Sequence, residues 1–201
     1  MIQPLSIGLF IDGGYYAKID EALRHNSGLG LDLKKLMHFI RTTVAEHYDT
    51  TIDECQIVES HYFRGRYRAA VAEQKRILFP ERRFEDALIE NDVIFHYKHL
   101  REAPGGGIIE KGIDTWFALD TYELTLYRNL NYVVLISGDA DHEMLARKLK
   151  ALKTHVLLLT WDPAHTGSTS RFLSEEVCTH IDIGKLLTDS KELSDRLINR
   201  L

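Results

Sequence analysis

The sequence predicts an α/β fold, a three-layer α/β/α sandwich with a mostly parallel central sheet, and three observations carry that reading. Short apolar runs at Ile7–Ile11, Tyr132–Ile136 and His155–Leu159 show almost no polar alternation, as strands covered on both faces do. Between such runs lie stretches with helical spacing, for example Leu33, Leu36, Met37 and Ile40. Two of the runs stop at turn residues, Asp12-Gly13-Gly14 and Ser137-Gly138-Asp139, before a helix-like pattern begins. Alternating strands and helices imply right-handed crossovers, so the strand ends point one way.

In order, Ile7–Ile11 is the first strand, and Tyr15 to Arg24 is a helix broken at Asn26-Ser27-Gly28. Asp32 has the side chain and position of an N-cap for the next helix. Cys55 to Phe63 reads as a second strand, with Ile57 and Val58 at its centre. Residues 64–83 and Phe84 to Ile89 read as helices interrupted near Pro80, and Val93 to Tyr97 as a third strand. Pro104-Gly105-Gly106-Gly107 is a loop but not a phosphate-binding P-loop, because no Gly-Lys-Ser/Thr follows. Lys111-Gly112-Ile113-Asp114 opens a helix to about Tyr127, and residues 141–152 form another after the strand at Tyr132–Ile136. His155–Leu159 is a strand, Ser168 to Val177 a helix, Ile181 the centre of a short strand and Lys191 to Leu201 a closing helix.

With 201 residues, 44% of them hydrophobic and 27% charged, the chain is long enough for one domain with a full core. A single domain over 1–201 is expected, with a basic helical segment at about 64–90 and a C-terminal helix at about 190–201. No apolar run approaches the ~18 residues that cross a bilayer. Asp12 interrupts the first apolar stretch and no basic segment precedes it, so the start does not read as a signal peptide. Cys55 and Cys178 lack CxxC spacing and suit a reducing, cytoplasmic setting.

The net charge of -5 excludes a uniformly basic nucleic-acid binder. Charge is uneven, however: residues 64–83 hold seven basic side chains against Glu73 and Glu81. A basic face of this kind can follow a phosphate backbone, which makes Arg64, Arg66, Arg68, Lys75 and Arg76 candidate RNA contacts. The competing reading is a solvated helix surface. A homodimer through the basic helices or the C-terminal helix is compatible with the pattern.

Four acids fall at predicted strand ends and helix starts. Asp12 leaves the first strand, Asp139 and Asp141 leave a later one, and Asp114 opens the helix between them. If the two strands are neighbours, these side chains meet where open parallel sheets bind ligands. Crowded carboxylates raise one another's pKa unless a cation intervenes, and oxygen-only ligation suits Mg²⁺ or Mn²⁺. Such a site activates water for phosphodiester hydrolysis without a protein nucleophile. Each acid taken alone also serves as a cap or turn residue. Asp120 lies about 9 Å along and about 240° around an ideal helix from Asp114, so both cannot face one ion, and Asp120 is expected to support the ligands or serve the fold.

Phe10-Ile11-Asp12-Gly13, Lys111-Gly112-Ile113-Asp114 with Leu119-Asp120, and Leu135-Ile136-Ser137-Gly138-Asp139-Ala140-Asp141 resemble the NYN domain, in the LabA-like branch of the PIN-like nucleases. The ending from Ser170 to Leu187, with Leu173 and Ile181-Asp182, is similar too. The resemblance implies a Rossmann-like PIN fold and a metal-dependent ribonuclease, with Asp12, Asp114, Asp139 and Asp141 as ligands. It departs at Gly14, where a polar residue is common, at His142, where Phe is usual, and at the basic stretch 64–83. His142 then serves as a metal ligand, a proton-transfer group or a packing residue, with packing or a hydrogen bond favoured. Ser137 and Lys111 stand beside the acids as further candidates, Lys111 either contacting phosphate or solvated. Tyr15 and Tyr16 could stack on a base but more commonly would pack in the core. His96 and His99 lack the partners of a zinc site.

Two other functions compete. An aspartyl-phosphate phosphatase would use Asp12 as nucleophile, but it needs an acid two residues later, where Gly14 stands. A binding or regulatory module could retain the acid pocket for RNA or protein recognition without turnover.

Overall fold

The computed structural model describes residues 4–27, 29–162, 169–189 and 197–200. Its first half runs β1 (Leu5–Asp12), α1 (Gly13–Ser27), β2 (Leu29–Leu31), α2 (Leu33–His47), β3 (Cys55–Arg66), α3 (Ala69–Gln74), α4 (Leu78–Glu90) and β4 (Ile94–His99). A short hairpin follows, β5 (Arg101–Glu102) with β6 (Ile108–Ile109). The second half runs α5 (Ile113–Arg128), β7 (Tyr132–Ile136), α6 (Glu143–Ala151), β8 (His155–Thr160), α7 (Arg171–Glu176), β9 (Thr179–Asp182), α8 (Ile183–Asp189) and β10 (Ile198–Arg200).

Six strands form one sheet in the order β4-β3-β1-β7-β8-β9, and each neighbouring pair is parallel. The expected α/β class is therefore the observed one. The chain builds outward from β1 on one side and then crosses to β7 on the other. That reversal leaves a crevice beyond the C-terminal ends of β1 and β7, the usual ligand position in such sheets.

Strand alternation divides the core. Ile7, Leu9 and Ile11, with Tyr132, Val134 and Ile136, meet Ile19 of α1 and Leu36, Ile40 and Val44 of α2. Phe10, Val133 and Leu135 turn the other way onto Phe117 of α5 and Leu145 and Leu149 of α6. Burial of each such side chain contributes about 1.5–3 kcal/mol before the entropy cost of ordering it.

One irregularity decides which side chains of β3 face α5. Ile7 pairs with Ile57, but Gly8 pairs with Glu59, so Val58 is an extra residue in β3. A bulge reverses the alternation beyond it. Tyr62 consequently packs on the α1 side, whereas Phe63 packs with α5 and His61 stacks on Phe10.

Several boundaries differ from expectation. The basic segment is not helical from its start: Arg64, Gly65 and Arg66 complete β3 by pairing with Tyr97, Lys98 and His99. The helical break falls at Lys75–Ile77, where Arg76 adopts φ 58°. Pro80 sits in the first turn of α4, where an N–H has no helical partner to lose. Asp32 does cap α2, accepting from the Lys35 N–H at 2.9 Å.

At the C-terminus, Ile198–Arg200 form a strand antiparallel to β2, in place of the expected helix. Residues 190–196 and 201 lie outside the described residues. Strand β2 and helix α8 were not foreseen, since three-residue pairings and a helix abutting a strand leave little periodic signal. Among the described residues, no helix is long and apolar enough to cross a membrane.

Candidate active site

The alternation that buries Ile11 on the α1 side turns Asp12 toward α5 and α6. Asp12 Oδ1 accepts from the N–H groups of Gly14 (2.9 Å) and Tyr15 (3.1 Å), so this acid does start α1. Its second oxygen, Oδ2, accepts from the Ser137 hydroxyl at 3.2 Å. Ser137 Oγ in turn accepts from the Asp139 N–H at 3.2 Å, and Asp139 Oδ1 accepts from the Asp141 N–H at 3.0 Å. A serine can donate once and accept in the same moment, and the fully buried Ser137 does both. One hydrogen-bonded chain thus ties the end of β1 to the end of β7.

Burial pushes the Asp12 carboxyl above its ordinary value. The Tyr15 N–H, His142 and the Ser137 hydroxyl oppose that push, while Asp114 adds to it. Asp114, in the first turn of α5, is exposed, as are Asp139 and Asp141. None of the four acids forms an ion pair among the described residues. Also among the described residues, no three acidic, histidine or cysteine side chains stand close enough to make a ready metal cage. The carboxylates of Asp114 and Glu110, which interact electrostatically with the desolvated Asp12, are donors of the type that a hard divalent cation takes. Mg²⁺ in particular takes one or two carboxylates and completes its shell with water and substrate oxygens.

Gly13 lets the β1–α1 turn press against β3. A Cβ there would lie 2.5 Å from Tyr62 Cζ, 2.7 Å from the Phe63 carbonyl oxygen and 2.8 Å from Arg64 Cβ. Burial pushes the Tyr62 phenol up to about 12, so it stays protonated and donates to the Gly13 carbonyl at 3.3 Å. At Gly14 a Cβ would meet only Asp12 Oδ1, at 3.3 Å. The polar residue that relatives of this motif carry there is therefore not excluded by bulk.

Glu110 was missed by sequence reasoning. Its carboxylate accepts from the Gly65 N–H at 3.0 Å and interacts with Asp114 and Asp12. Desolvation pushes it upward, the Gly65 N–H opposes this, and the two aspartates push further. The only signal was an acid four residues before Asp114 in a loop, which no spacing rule singles out. Lys111, next to it, is exposed.

Asp120 belongs elsewhere. Its Oδ2 accepts from Trp116 Nε1 at 2.6 Å and lies 4.0 Å from His96 Nδ1, under the body of α5. His142 is buried with its ring stacked on Phe117 at 4.5 Å, and its Nε2 has no hydrogen-bond partner among the described residues. Tyr15 and Tyr16 are both buried, Tyr16 edge-on to Tyr62 at 6.2 Å and the Tyr15 hydroxyl accepting from the Trp161 N–H at 2.8 Å.

The five basic candidates separate. Arg66 is tied into the fold by Glu85 at 3.1 Å and stands 4.9 Å over the Tyr97 ring. Arg64 is half-buried beside the Tyr62 hydroxyl at 3.5 Å. Arg68, Lys75 and Arg76 are exposed, with Lys75 lying 5.2 Å over the Tyr67 ring.

A parallel sheet with acids hydrogen-bonded across its switch point defines a Rossmann-like domain with an acidic crevice. The NYN domain family matches residues 6–184, and the chain belongs to that family, whose fold is that of PIN-like nucleases. No curated protein matches the sequence. Among solved structures, a Listeria monocytogenes protein assigned provisionally as a UDP-N-acetylglucosamine 2-epimerase is similar at TM-score 0.40 and 9% identity. That alignment covers 98% of this chain and 42% of the other, and so weak a likeness carries no argument.

Proposed function

We propose that this chain is a Mg²⁺- or Mn²⁺-dependent ribonuclease that hydrolyses RNA phosphodiester bonds with an activated water. The observation that carries the reading is Asp12, desolvated at the switch point, hydrogen-bonded to Ser137, repelled by Asp114 and in no ion pair among the described residues. Asp12, Asp114, Asp139 and Asp141 would hold the ion. When bound, it lowers the pKa of a coordinated water and offsets charge on the phosphoryl oxygens.

The protein's own contribution is positioning. The Gly14 and Tyr15 N–H groups and the Ser137 hydroxyl fix both oxygens of Asp12 in direction. Ser137 also restrains the Asp139 backbone, so the two acids are set by one hydroxyl. Asp114 and Asp141 face solvent, where substrate must arrive. Exposed Arg68, Lys75 and Arg76 offer phosphate contacts that raise affinity without reading sequence.

Replacing Asp139 with Asn should lower metal-dependent cleavage of labelled RNA by about 100-fold or more while far-UV circular dichroism stays unchanged. Cleavage that persists in that variant, or in the wild type with EDTA, would falsify the proposal. The open spacing of the acids favours one alternative, a module that binds RNA without turnover. Metal-dependent RNA binding by the wild type with no product across single-stranded and structured substrates would establish that instead.

A further inference from the structure

Beneath α5 runs a chain of polar side chains that the acid site does not use. Glu59 Oε1 meets Arg128 Nε at 2.7 Å, and Glu59 Oε2 lies 2.9 Å from His61 Nε2. His61 Nδ1 lies 2.9 Å from His96 Nε2, and His96 Nδ1 lies 4.0 Å from Asp120 Oδ2. Aromatic rings enclose the histidines: Phe10 stacks on His61 at 5.4 Å, Phe63 stacks on His96 at 4.3 Å, and Trp116 meets His96 edge-on at 5.0 Å. The charged groups facing the pair are Glu59 on β3 and Arg128 and Asp120 on α5, while β1 presents only Phe10.

Donor and acceptor counting leaves the neutral pair one arrangement. A carboxylate only accepts, so His61 Nε2 carries the hydrogen that Glu59 receives. Neutral His61 then has a bare Nδ1, which must accept from His96 Nε2–H. His96 Nδ1 is bare in turn and faces the Asp120 carboxylate, acceptor against acceptor. The 4.0 Å gap there is too long for a hydrogen bond, as that opposition requires.

We propose that Glu59, His61, His96 and Asp120 form a single-proton latch between β4 and α5, with His96 as a positioning residue. One solvent proton binds His96 Nδ1, the side chain of His96 being 17% exposed, and the Nε2 proton passes to His61 Nδ1. The net gain is one proton and one positive charge. That charge rests on His61 against Glu59, while His96 ends neutral with its hydrogen on Nδ1. Its contact with Asp120 has turned from acceptor–acceptor into donor–acceptor. A second proton would set two N–H groups against each other across the 2.9 Å contact, so the pair takes one only. Burial and the charge on His61 both hold His96 below the ordinary histidine range, in keeping with the charge settling on its partner. Because α5 carries Asp114 in its first turn, the latch couples pH to the placement of a proposed metal ligand. That last step alone rests on the ribonuclease reading.

The test is imidazole ¹⁵N NMR of the full chain from about pH 8 to about pH 5, with amide hydrogen exchange over α5. The expected result is a shift of the His96 proton from Nε2 to Nδ1 in the same step that His61 becomes doubly protonated. Exchange at Trp116–Thr121, corrected for its intrinsic pH dependence, should slow by about 5-fold or more across that step. His96→Phe keeps the stacking on Phe63 and should lose the pH effect on α5, and Glu59→Gln should remove the tautomer switch. His96 holding its hydrogen on Nε2 throughout, or α5 exchange keeping its pH response in His96→Phe, would overturn the latch. An absence of RNA cleavage by the wild type would remove the nuclease reading while leaving the tautomer result standing, so the two fail separately.

Discussion

Asp12 shows how one side chain can be both a helix starter and a strained charge. Its folded pKa is raised, so its contribution to stability is complete below the unfolded carboxylate value and is lost as pH rises through the folded one. Above the folded value and without metal, the charge is therefore a cost to the fold. Asp12→Asn keeps an oxygen for the Gly14 and Tyr15 N–H groups and removes the buried charge. It should melt at a higher temperature than the wild type in EDTA, yet be inactive on RNA. Mn²⁺ at about 100 times its Kd should stabilise the wild type by about 2.7 kcal/mol, an effect the variant should largely lose. A variant that melts lower in EDTA and still gains from Mn²⁺ would show that Asp12 is structural only.

Elements decide how much of the site could be read from sequence. Asp12, Ser137, Asp139 and Asp141 were legible because each follows directly on an apolar strand, where local pattern and topology coincide. Asp120 was legible as an outlier because helix geometry alone turns it away from Asp114. Glu59 and His61 were not, since their face depends on Val58, an extra residue that only the pairing of β1 with β3 reveals. His96 was legible only as an isolated histidine, because its partners arrive from another strand and from α5. The Arg64–Arg66 stretch looked helical by charge and composition, but pairing with β4 overrode that local signal.

The β1–α1 turn offers a direct check at the same scale. Gly13→Ala would drive a methyl to 2.7 Å from a backbone oxygen of β3, which cannot retreat cheaply. A cost of about 1–3 kcal/mol is expected, lowering Tm by roughly 2–4 °C per kcal/mol in a chain of this size. Gly14→Ala meets only a side-chain oxygen at 3.3 Å and should stay within about 1 kcal/mol of the wild type. Thermal melts of the two variants side by side would decide it, and equal losses would mean that the turn can shift away from β3.

At the scale of the whole molecule, histidines spread across the sheet set the response to acid. His96, His155 and His180 are each held below the ordinary histidine range, in every case chiefly by burial. The charge on His61 adds to this at His96, and His47 adds to it at His155, whereas Asp120 and Asp182 work the other way at His96 and His180. His155 stacks on Tyr132 at 4.5 Å, and His180 Nε2 lies 2.8 Å from Thr160 Oγ1, so both rings contact the strands of the sheet. A base whose folded pKa is depressed leaves the unfolded chain binding more protons. Stability therefore falls as pH drops through the unfolded histidine value of about 6.5 toward the folded ones. Asp12 and Glu110 respond in the opposite sense, but their titration starts from the lower carboxylate range. Urea melts should accordingly give a lower midpoint at about pH 5.5 than at about pH 7.5, with an unchanged m-value. His155→Gln and His180→Gln should each flatten that slope. A midpoint that rises on acidification would mean that the proton gained beneath α5 outweighs the depressed rings of His155 and His180, making the latch the dominant acid response of the fold.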